Sequence, residues 1–297
     1  MVQELISKIE ASGDYRVLKR FEPVEFYHQI ANAESKIELR KCIFLDVETT
    51  GLDDTTDTVI ELAMVPFEYD ADGNIYRILP AYNGFQDPGF PIPANITELT
   101  GITDDMVKGQ SLDMQAISDM LSDCVLVIAH NARFDRPFME NLSDEFKGKY
   151  WACSIADVAW ATEGFGSSKL EFLAYQFKFF YEAHRAVIDC QVGIHILTQT
   201  LPKSGGNAMQ QLLKSARRTD YRLWAKGAPF DKKDDLRKRG YRWANGDDGG
   251  IKAWYLDLPD NELDNEYDYL NENIFNRTVS DLPTKKLTGK IRYSKRI

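Results

Sequence analysis

The 297-residue sequence is poor in cysteine and has no long apolar run. Its four cysteines are scattered without a C-x-x-C pair, which excludes a zinc ribbon and a small disulfide scaffold. We expect free, buried thiols in a reducing cytosol, and hence a cytoplasmic protein. No stretch of about 18 apolar residues is present, so no membrane partner is expected. The charged, amphipathic N-terminus does not have the pattern of a signal peptide.

Basic residues are outnumbered, and the net charge of −10 argues against a general nucleic-acid coat protein. It does not exclude an enzyme of nucleic acids, because a local basic patch can hold such a substrate while carboxylates elsewhere add negative charge. Hydrophobic residues make up 43% and charged residues 28%, which is typical of a globular protein. The composition therefore predicts a folded, acidic protein.

The length favours two domains. Residues 1–40 are predicted to be a helical N-terminal extension, with apolar faces formed by Leu5, Ile6 and Ile9 and by Phe26, Tyr27 and Ile30. A Pro, Gly and Ser-rich break at 202–207 is the best domain boundary. It separates a central domain, 41–202, from a C-terminal module, 207–297.

Hydrophobic periodicity changes along the central domain. Strands are predicted at 42–45, 59–67, 76–79, 124–129 and 151–154, and helices at 112–121, 134–142, 170–177 and 186–200. The first three strands form an antiparallel meander, after which strands and helices alternate. This order predicts an α/β fold with a mixed sheet flanked by helices.

Two carboxylates lie at the end of the first predicted strand, in the segment F-L-D-V-E-T-T-G. Asp46 and Glu48 are two residues apart, so strand periodicity places both on one face. Two carboxylates at such a short distance repel each other unless a cation lies between them. Oxygen ligands of this kind suit Mg²⁺ or Mn²⁺. For this fragment alone, a strand end with exposed acids is an equal alternative.

Two further fragments carry acids beside helix starts. In V-I-A-H-N-A-R-F-D, Asp135 is either a ligand or a partner of the helix dipole, Asn131 is predicted to brace the loop, and Phe134 is core or a platform for a base. In A-H-R-A-V-I-D, His184 lies on the loop five residues before Asp189. Alone, the last pattern is more often a helix cap and a surface histidine.

The three fragments in this order resemble the DEDDh 3′→5′ exonucleases, the family of epsilon-type proofreading subunits, RNase T and oligoribonuclease. The resemblance covers about residues 40–200, and the segments L-T-G-I-T at 99–103 and K-L-E-F-L-A at 169–174 also fit. It implies an RNase H-like five-stranded mixed sheet, 3′→5′ polarity and two divalent metal ions. It also implies that Asp46, Glu48, Asp135 and Asp189 bind the metals and that His184 is the general base.

The family resemblance also suggests residues that contact substrate. Thr49, Thr50 and Leu52 follow the first acid pair and are expected to contact the terminal nucleotide through backbone groups and a wedge side chain. An equal alternative is that Gly51 makes the turn and the threonines satisfy it. Proofreading relatives often carry a glutamate before the G-I-T stretch, and some carry a histidine just ahead of its glycine; Asn95 and Thr100 stand in those places here. The full predicted substrate set is Thr49, Thr50, Leu52, Asn95, Thr100, Asn131 and Phe134.

The C-terminal module has a distinct composition. Residues 203–242 include twelve basic and only four acidic residues, and aromatic residues are interleaved among them. A basic helix at 231–239, two strands at 241–244 and 253–256, and an acidic helix at 263–274 are predicted. The module either holds a single strand by charge and stacking or uses its aromatics as core, and the second reading is slightly favoured.

These patterns together predict a metal-dependent 3′→5′ exonuclease that releases nucleoside 5′-monophosphates from DNA in repair or proofreading. The expected partners are a single-stranded DNA or RNA 3′ end and a DNA polymerase or clamp. An exoribonuclease and a non-catalytic nucleic-acid-binding subunit remain alternatives, and no 2′-hydroxyl reader in the sequence decides between DNA and RNA.

Overall fold

The structure is a computed structural model that describes residues 2–28, 37–183, 185–246 and 250–297. It divides into two compact units. The first extends to Ala216 and also contains Tyr293–Lys295, and the second comprises Arg217–Arg292 and Arg296–Ile297. The predicted boundary at 202–207 does not coincide with this division, because the helix that follows it packs its apolar face into the core of the first unit.

The first unit contains eight described strands and ten helices. The strands are β1 (Lys19–Arg20), β2 (Arg40–Thr49), β3 (Val59–Tyr69), β4 (Ile75–Ile78), β5 (Tyr82–Phe85), β6 (Cys124–Ala129), β7 (Tyr150–Cys153) and β8 (Phe179–Phe180). The helices are α1 (Val2–Ala11), α2 (Ala94–Thr100), α3 (Asp104–Val107), α4 (Met114–Ser122), α5 (Ala132–Leu142), α6 (Glu145–Gly148), α7 (Trp160–Glu163), α8 (Leu170–Gln176), α9 (Ala186–Leu197) and α10 (Ala208–Arg217).

The central sheet has the order β4-β3-β2-β6-β7, and the short strand β5 also pairs with β3. Strands β2, β3 and β4 are antiparallel, whereas β6 and β7 run parallel to β2. The mixed α/β fold class expected from the sequence, a mixed sheet flanked by helices, is confirmed. The sixth strand is an addition to the five-stranded prediction, and arises because β5 turns back onto β3.

The two faces of the sheet bury separate apolar clusters, as the alternation of side chains along a strand requires. Along β2, Cys42 and Phe44 point to the face covered by α8, α9 and α10. Ile43 and Leu45 point to the face covered by α4 and α5. Side chains on both faces of β2 are buried, which explains its continuous run of apolar residues at 42–45.

Helix α9 approaches β2 closely at Gly193. A Cβ atom at that position would lie 2.3 Å from Phe44 Cζ, so only glycine fits. The close approach fixes the distance between the helix that carries Asp189 and the strand that carries Asp46.

The second unit is a small α+β fold. Its sheet has the order β10 (Arg242–Ala244), β11 (Ala253–Pro259), β9 (Asp220–Ala225) and β12 (Thr284–Leu287), all antiparallel. Helices α11 (Lys233–Lys238) and α12 (Leu263–Tyr269) follow β9 and β11, and α12 continues as a π-helical turn, Leu270–Phe275. The two predicted strands are present, but β9 and β12 were not foreseen.

The N-terminal extension differs from its prediction. Only α1 is helical among the described residues before β2. Lys19–Arg20 pairs with Phe179–Phe180, and Tyr27 bonds through its backbone to Tyr76. The helical face predicted for Phe26 and Tyr27 is therefore wrong, because this segment makes extended pairings instead. Ile30 lies outside the described residues.

Candidate active site

Strand β2 continues through the first acid pair instead of ending before it. Asp46 lies opposite Ala63 and Glu48 opposite Glu61 in β3, so both acids remain in a hydrogen-bonded ladder. By the alternation of β2, they share the face of Phe44, on which α9 packs. The register therefore agrees with the prediction that both carboxylates lie on one face of the strand.

Asp135 is positioned by the sharp turn between β6 and α5. Asn131 has a left-handed backbone (φ 83°) at the helix start, and its side chain makes no capping hydrogen bond. The Asn131 backbone makes the turn in a conformation that asparagine tolerates, and the bracing role of its side chain stays a prediction. Asp135 is only 2% exposed. Burial also lowers the pKa of the neighbouring His130 to about 4, so that imidazole is neutral.

Asp189 lies in the first turn of α9 and caps its own helix. The backbone N–H of Arg185 donates to Asp189 Oδ2 at 3.0 Å. The hydroxyl of Tyr181 is hydrogen-bonded to Asp189, and burial followed by the charge of Asp189 raises the pKa of Tyr181. His184, the predicted general base, lies outside the described residues, so its role stays a prediction.

The acids form one electrostatic group. Burial, and then the charges of Asp135, Asp189 and Glu48, raise the pKa of Asp46 well above its usual range. Burial, and then the charge of Asp189, raise the pKa of Glu48 to about 7. Burial raises the pKa of Asp135 as well, with a smaller contribution from Glu48. The fold thus holds together four carboxylates that disfavour one another's charge.

A fifth acid, Glu61, was missed by sequence reasoning. It is 6% exposed, and Asn83 Nδ2 donates to its Oε1 at 2.9 Å. Burial raises the pKa of Glu61, and its charge in turn raises the pKa values of Asp46 and Glu48. The available signal was the register of the meander, which places Glu61 opposite Glu48, but register cannot be read from periodicity alone.

The donor chemistry of this group fits a hard divalent cation. Carboxylate oxygens are the ligands that Mg²⁺ and Mn²⁺ prefer, and a cation offsets the mutual repulsion that raises these pKa values. Within the part of the chain that the structure describes, no three His, Cys, Asp or Glu side chains are grouped so that they could hold a metal ion as placed.

The predicted substrate contacts fall into two groups. Thr49, Thr50 and Thr100 are buried, and their hydroxyls bond within the protein, to Gly51 O, Asp57 Oδ1 and Ile96 O respectively. These three hydroxyls are used within the protein, and substrate contact through the backbone groups of Thr49 and Thr50 or by Thr100 stays a prediction. The other predicted contacts reach the surface. Leu52 is 85% exposed, Asn95 and Asn131 are exposed, and Phe134 is half-buried.

The four cysteines are free and buried, as expected. Among the described residues, no helix is long and apolar enough to cross a membrane.

Comparison with known proteins identifies relatives of the first unit. The model of the RNase_T family, described as exonuclease, matches residues 43–197, more than half of the chain. DNA polymerase III PolC-type from Listeria innocua is 36% identical over 163 residues, which cover 52% of this chain and 11% of that protein. The Bacillus subtilis PolC-type enzyme is 31% identical over 187 residues, 60% of this chain and 12% of that protein. The chain thus spans about a tenth of the length of these curated relatives.

Two solved exonuclease structures align with parts of this chain. Exonuclease X in complex with 5′ overhanging duplex DNA superposes with a TM-score of 0.44 at 22% identity, covering 59% of this chain and 99% of that chain. E. coli exonuclease I in complex with a 5cy-dT13 oligonucleotide has a TM-score of 0.47 at 15% identity, covering 77% of this chain and 67% of that chain.

Proposed function

Because this chain belongs to the RNase_T exonuclease family, we propose that it is a metal-dependent 3′→5′ exonuclease that releases nucleoside 5′-monophosphates from DNA. Two divalent ions, Mg²⁺ or Mn²⁺, are the proposed cofactors. The ligands are Asp46, Glu48, Asp135 and Asp189. The observation that carries the proposal is the grouping of these acids in the fold: Asp46 and Glu48 share the face of β2 on which α9 packs, and Asp135 and Asp189 lie close enough to act on the charge of Asp46.

Each protein group has one role in this proposal. When bound, the ions supply an activated water and stabilise the leaving oxygen of an in-line displacement. The four carboxylates hold and orient the ions, and Tyr181 keeps Asp189 in place through its hydrogen bond. His184 in its neutral form accepts the proton of the attacking water. Activity is therefore expected to rise with pH through the histidine range, near pH 6.5 for an unperturbed side chain.

DNA is the proposed substrate because the curated relatives are named as DNA polymerases. A DNA polymerase or sliding clamp is accordingly the proposed protein partner, and repair or proofreading the proposed setting. RNA is the competing substrate, and the experiment below decides between them.

The test uses 5′-labelled DNA and RNA single strands of one sequence, incubated with Mg²⁺, Mn²⁺ or EDTA. Asp46→Asn removes one carboxylate charge with almost no change of volume, and Asp119→Asn is the matched control on the exposed face of α4. The expected result is a ladder that shortens from the 3′ end of DNA, persists in Asp119→Asn, and disappears in EDTA and in Asp46→Asn.

Two other results contradict the proposal. A ladder on RNA with no degradation of DNA makes the protein an exoribonuclease. Binding of either strand without any ladder, under every metal condition, makes it a non-catalytic nucleic-acid-binding subunit.

A further inference from the structure

The loop that follows the first acid pair is rigidly built and leads away from the acids. Asp57 accepts hydrogen bonds from Thr50 Oγ1 at 3.1 Å and from the backbone N–H of Asp53 at 2.9 Å. A Cβ atom on Gly51 would lie 2.4 Å from Asp57 Oδ2, so a larger residue there would displace the carboxylate that holds the loop. The loop consequently presents Leu52 to solvent in one fixed place.

An open pocket of about 380 Å³ lies between this loop and the first turns of α5. Its lining combines apolar side chains, among them Leu52 and Phe134, with the basic side chains of Arg133 and Lys295. Arg133 and Phe134 directly precede Asp135, so the pocket adjoins one of the four acids. Its full lining is Leu52, Asp53, Asp54, Arg133, Phe134, Pro137, Phe138 and Lys295.

Lys295 reaches this pocket from the C-terminal end of the chain. The segment Tyr293–Lys295 belongs to the first unit. Ser294 is buried, and its hydroxyl donates to Glu140 Oε2 at 2.8 Å, next to the buried ion pair of Glu140 with Arg136. Tyr293 adopts a left-handed backbone (φ 66°) and packs against the core cluster on the α5 face. An aromatic residue holds that conformation only where surrounding contacts fix it, so the segment is anchored.

The ammonium of Lys295 forms an ion pair with Asp54 at the loop. The Asp54 side chain is 10% exposed, whereas that of Lys295 is 61% exposed. Asn141 on α5 donates to the backbone carbonyl of Asp54 at 2.8 Å and so fixes the loop from the other side. Since an ammonium has three N–H donors, Lys295 can hold Asp54 and still donate toward the solvent side of the pocket.

We propose that the C-terminal segment Tyr293–Lys295 is part of the nucleic-acid site: Ser294 anchors it, and Lys295 contacts a backbone phosphate of a strand whose base lies in the pocket formed with Leu52 and Phe134. This inference rests on the proposed function for the identity of the strand.

The charges of the pocket agree with a strand as its occupant. Asp53 Oδ1 is turned back into the loop, where it accepts from the backbone N–H and the hydroxyl of Thr55 at 3.0 and 2.7 Å. The Asp54 carboxylate is covered by Lys295. Arg133 is exposed and has no ion-pair partner among the residues described. Arg133 and the remaining N–H donors of Lys295 are therefore available to phosphates, and the apolar side chains of the lining offer a surface to a base.

The experiment measures binding without hydrolysis. The affinity of the full chain for a 5′-fluorescein dT12 strand is followed by fluorescence anisotropy in EDTA over a series of salt concentrations. Lys295→Ala is compared with Lys147→Ala, which removes a lysine of α6 that is ion-paired with Asp144 and lies outside the pocket. Lys295→Arg preserves the charge.

Lys295→Ala is expected to weaken binding about tenfold, the size of one lost contact to a charged group. The slope of log affinity against log salt should fall by about 0.7, the value for one phosphate contact on a single strand. Lys147→Ala and Lys295→Arg should match the wild type.

The inference is overturned if Lys295→Ala and Lys147→Ala have the same affinity and salt slope as the wild type. The proposed function fails separately, if the wild type binds the strand and does not degrade it when Mg²⁺ or Mn²⁺ is supplied. A wild type that binds without degrading, together with a Lys295→Ala variant that loses affinity and slope, supports the inference while contradicting the function.

Discussion

Glu48 is the acid whose protonation changes near neutral pH. Burial and the charges of Asp189 and Glu61 raise its pKa from the ordinary 4.5 to about 7. In the absence of a cation, the folded protein therefore binds more protons at this residue than the unfolded chain does between these two pH values. The free energy of unfolding must then fall as pH rises through this window.

Glu48→Gln removes this dependence. In EDTA the variant is expected to be more stable than the wild type by roughly 1–3 kcal/mol at pH 8, because the wild type then holds a repelled carboxylate. At pH 4.5 the two proteins should be nearly equal. Urea denaturation at both pH values measures the difference, with the exposed Glu98→Gln on α2 as control. If the free energies of unfolding of the wild type and Glu48→Gln differed by the same amount at both pH values, the raised pKa of Glu48 would not be the cause.

Glu61 influences the site through its charge. Because its carboxylate raises the pKa values of Asp46 and Glu48, Glu61→Gln should lower both and move the pH midpoint of Mn²⁺ binding downward. Calorimetric titration of Mn²⁺ between pH 5.5 and 8 measures that midpoint. A merely structural role for Glu61 predicts weaker binding with an unchanged midpoint.

At the scale of elements, periodicity located most of the central sheet and its flanking helices but misplaced their ends. Strand β2 extends to Thr49 instead of ending at residue 45, since pairing with β3 carries polar residues that periodicity assigns to a loop. The acids themselves were identifiable from three short motifs. Glu61 could not be identified in this way, because its effect on the other acids depends on its position opposite Glu48 in the sheet. The tail segment at Tyr293–Lys295 was also beyond sequence reasoning, because no local pattern reports a contact between distant parts of a chain.

Gly193 is the point at which α9 and β2 meet. Gly193→Ala would place a methyl group against Phe44, and the strain of overpacking should lower the free energy of unfolding by about 1–3 kcal/mol. Because the same contact sets the spacing between Asp46 and Asp189, exonuclease activity should fall as well.

Gly148→Ala at the end of α6 is the matched control, since a Cβ atom there meets nothing within 4 Å. Thermal unfolding of both variants tests the contact. Equal stability of the two would show that α9 can shift without cost.

At the scale of the whole molecule, the net charge of −10 conceals an uneven distribution. The second unit carries exposed cations and aromatic rings in contact, among them Lys233 over the ring of Phe230 at 4.5 Å and Arg242 over the ring of Tyr255 at 5.5 Å. Deleting residues 207–297 would not test a role in strand binding, because α10 and Tyr293–Lys295 belong to the first unit. Substitutions at exposed positions are the appropriate test.

Phe230 is 81% exposed and can be removed without loss of core. If the second unit holds the strand upstream of the acids, Phe230→Ala should weaken binding of a 20-nucleotide strand about tenfold, the value of one lost stacked base. A five-nucleotide strand should bind as before. Tyr15→Ala, which removes an exposed ring from the first unit, is the control. Equal affinities for the long strand would assign the exposed aromatics no part in binding.

The central claim is that Asp46, Glu48, Asp135 and Asp189 bind divalent cations. Its most direct test is calorimetric titration of Mn²⁺ into the wild type and into Asp46→Asn, Asp189→Asn and the control Asp119→Asn, in each case with folding verified by circular dichroism. Saturable binding to the wild type and to Asp119→Asn, weakened at least about 100-fold in the other two variants, is the predicted result. Equal Mn²⁺ affinity in all four proteins, or none in the wild type, would contradict it.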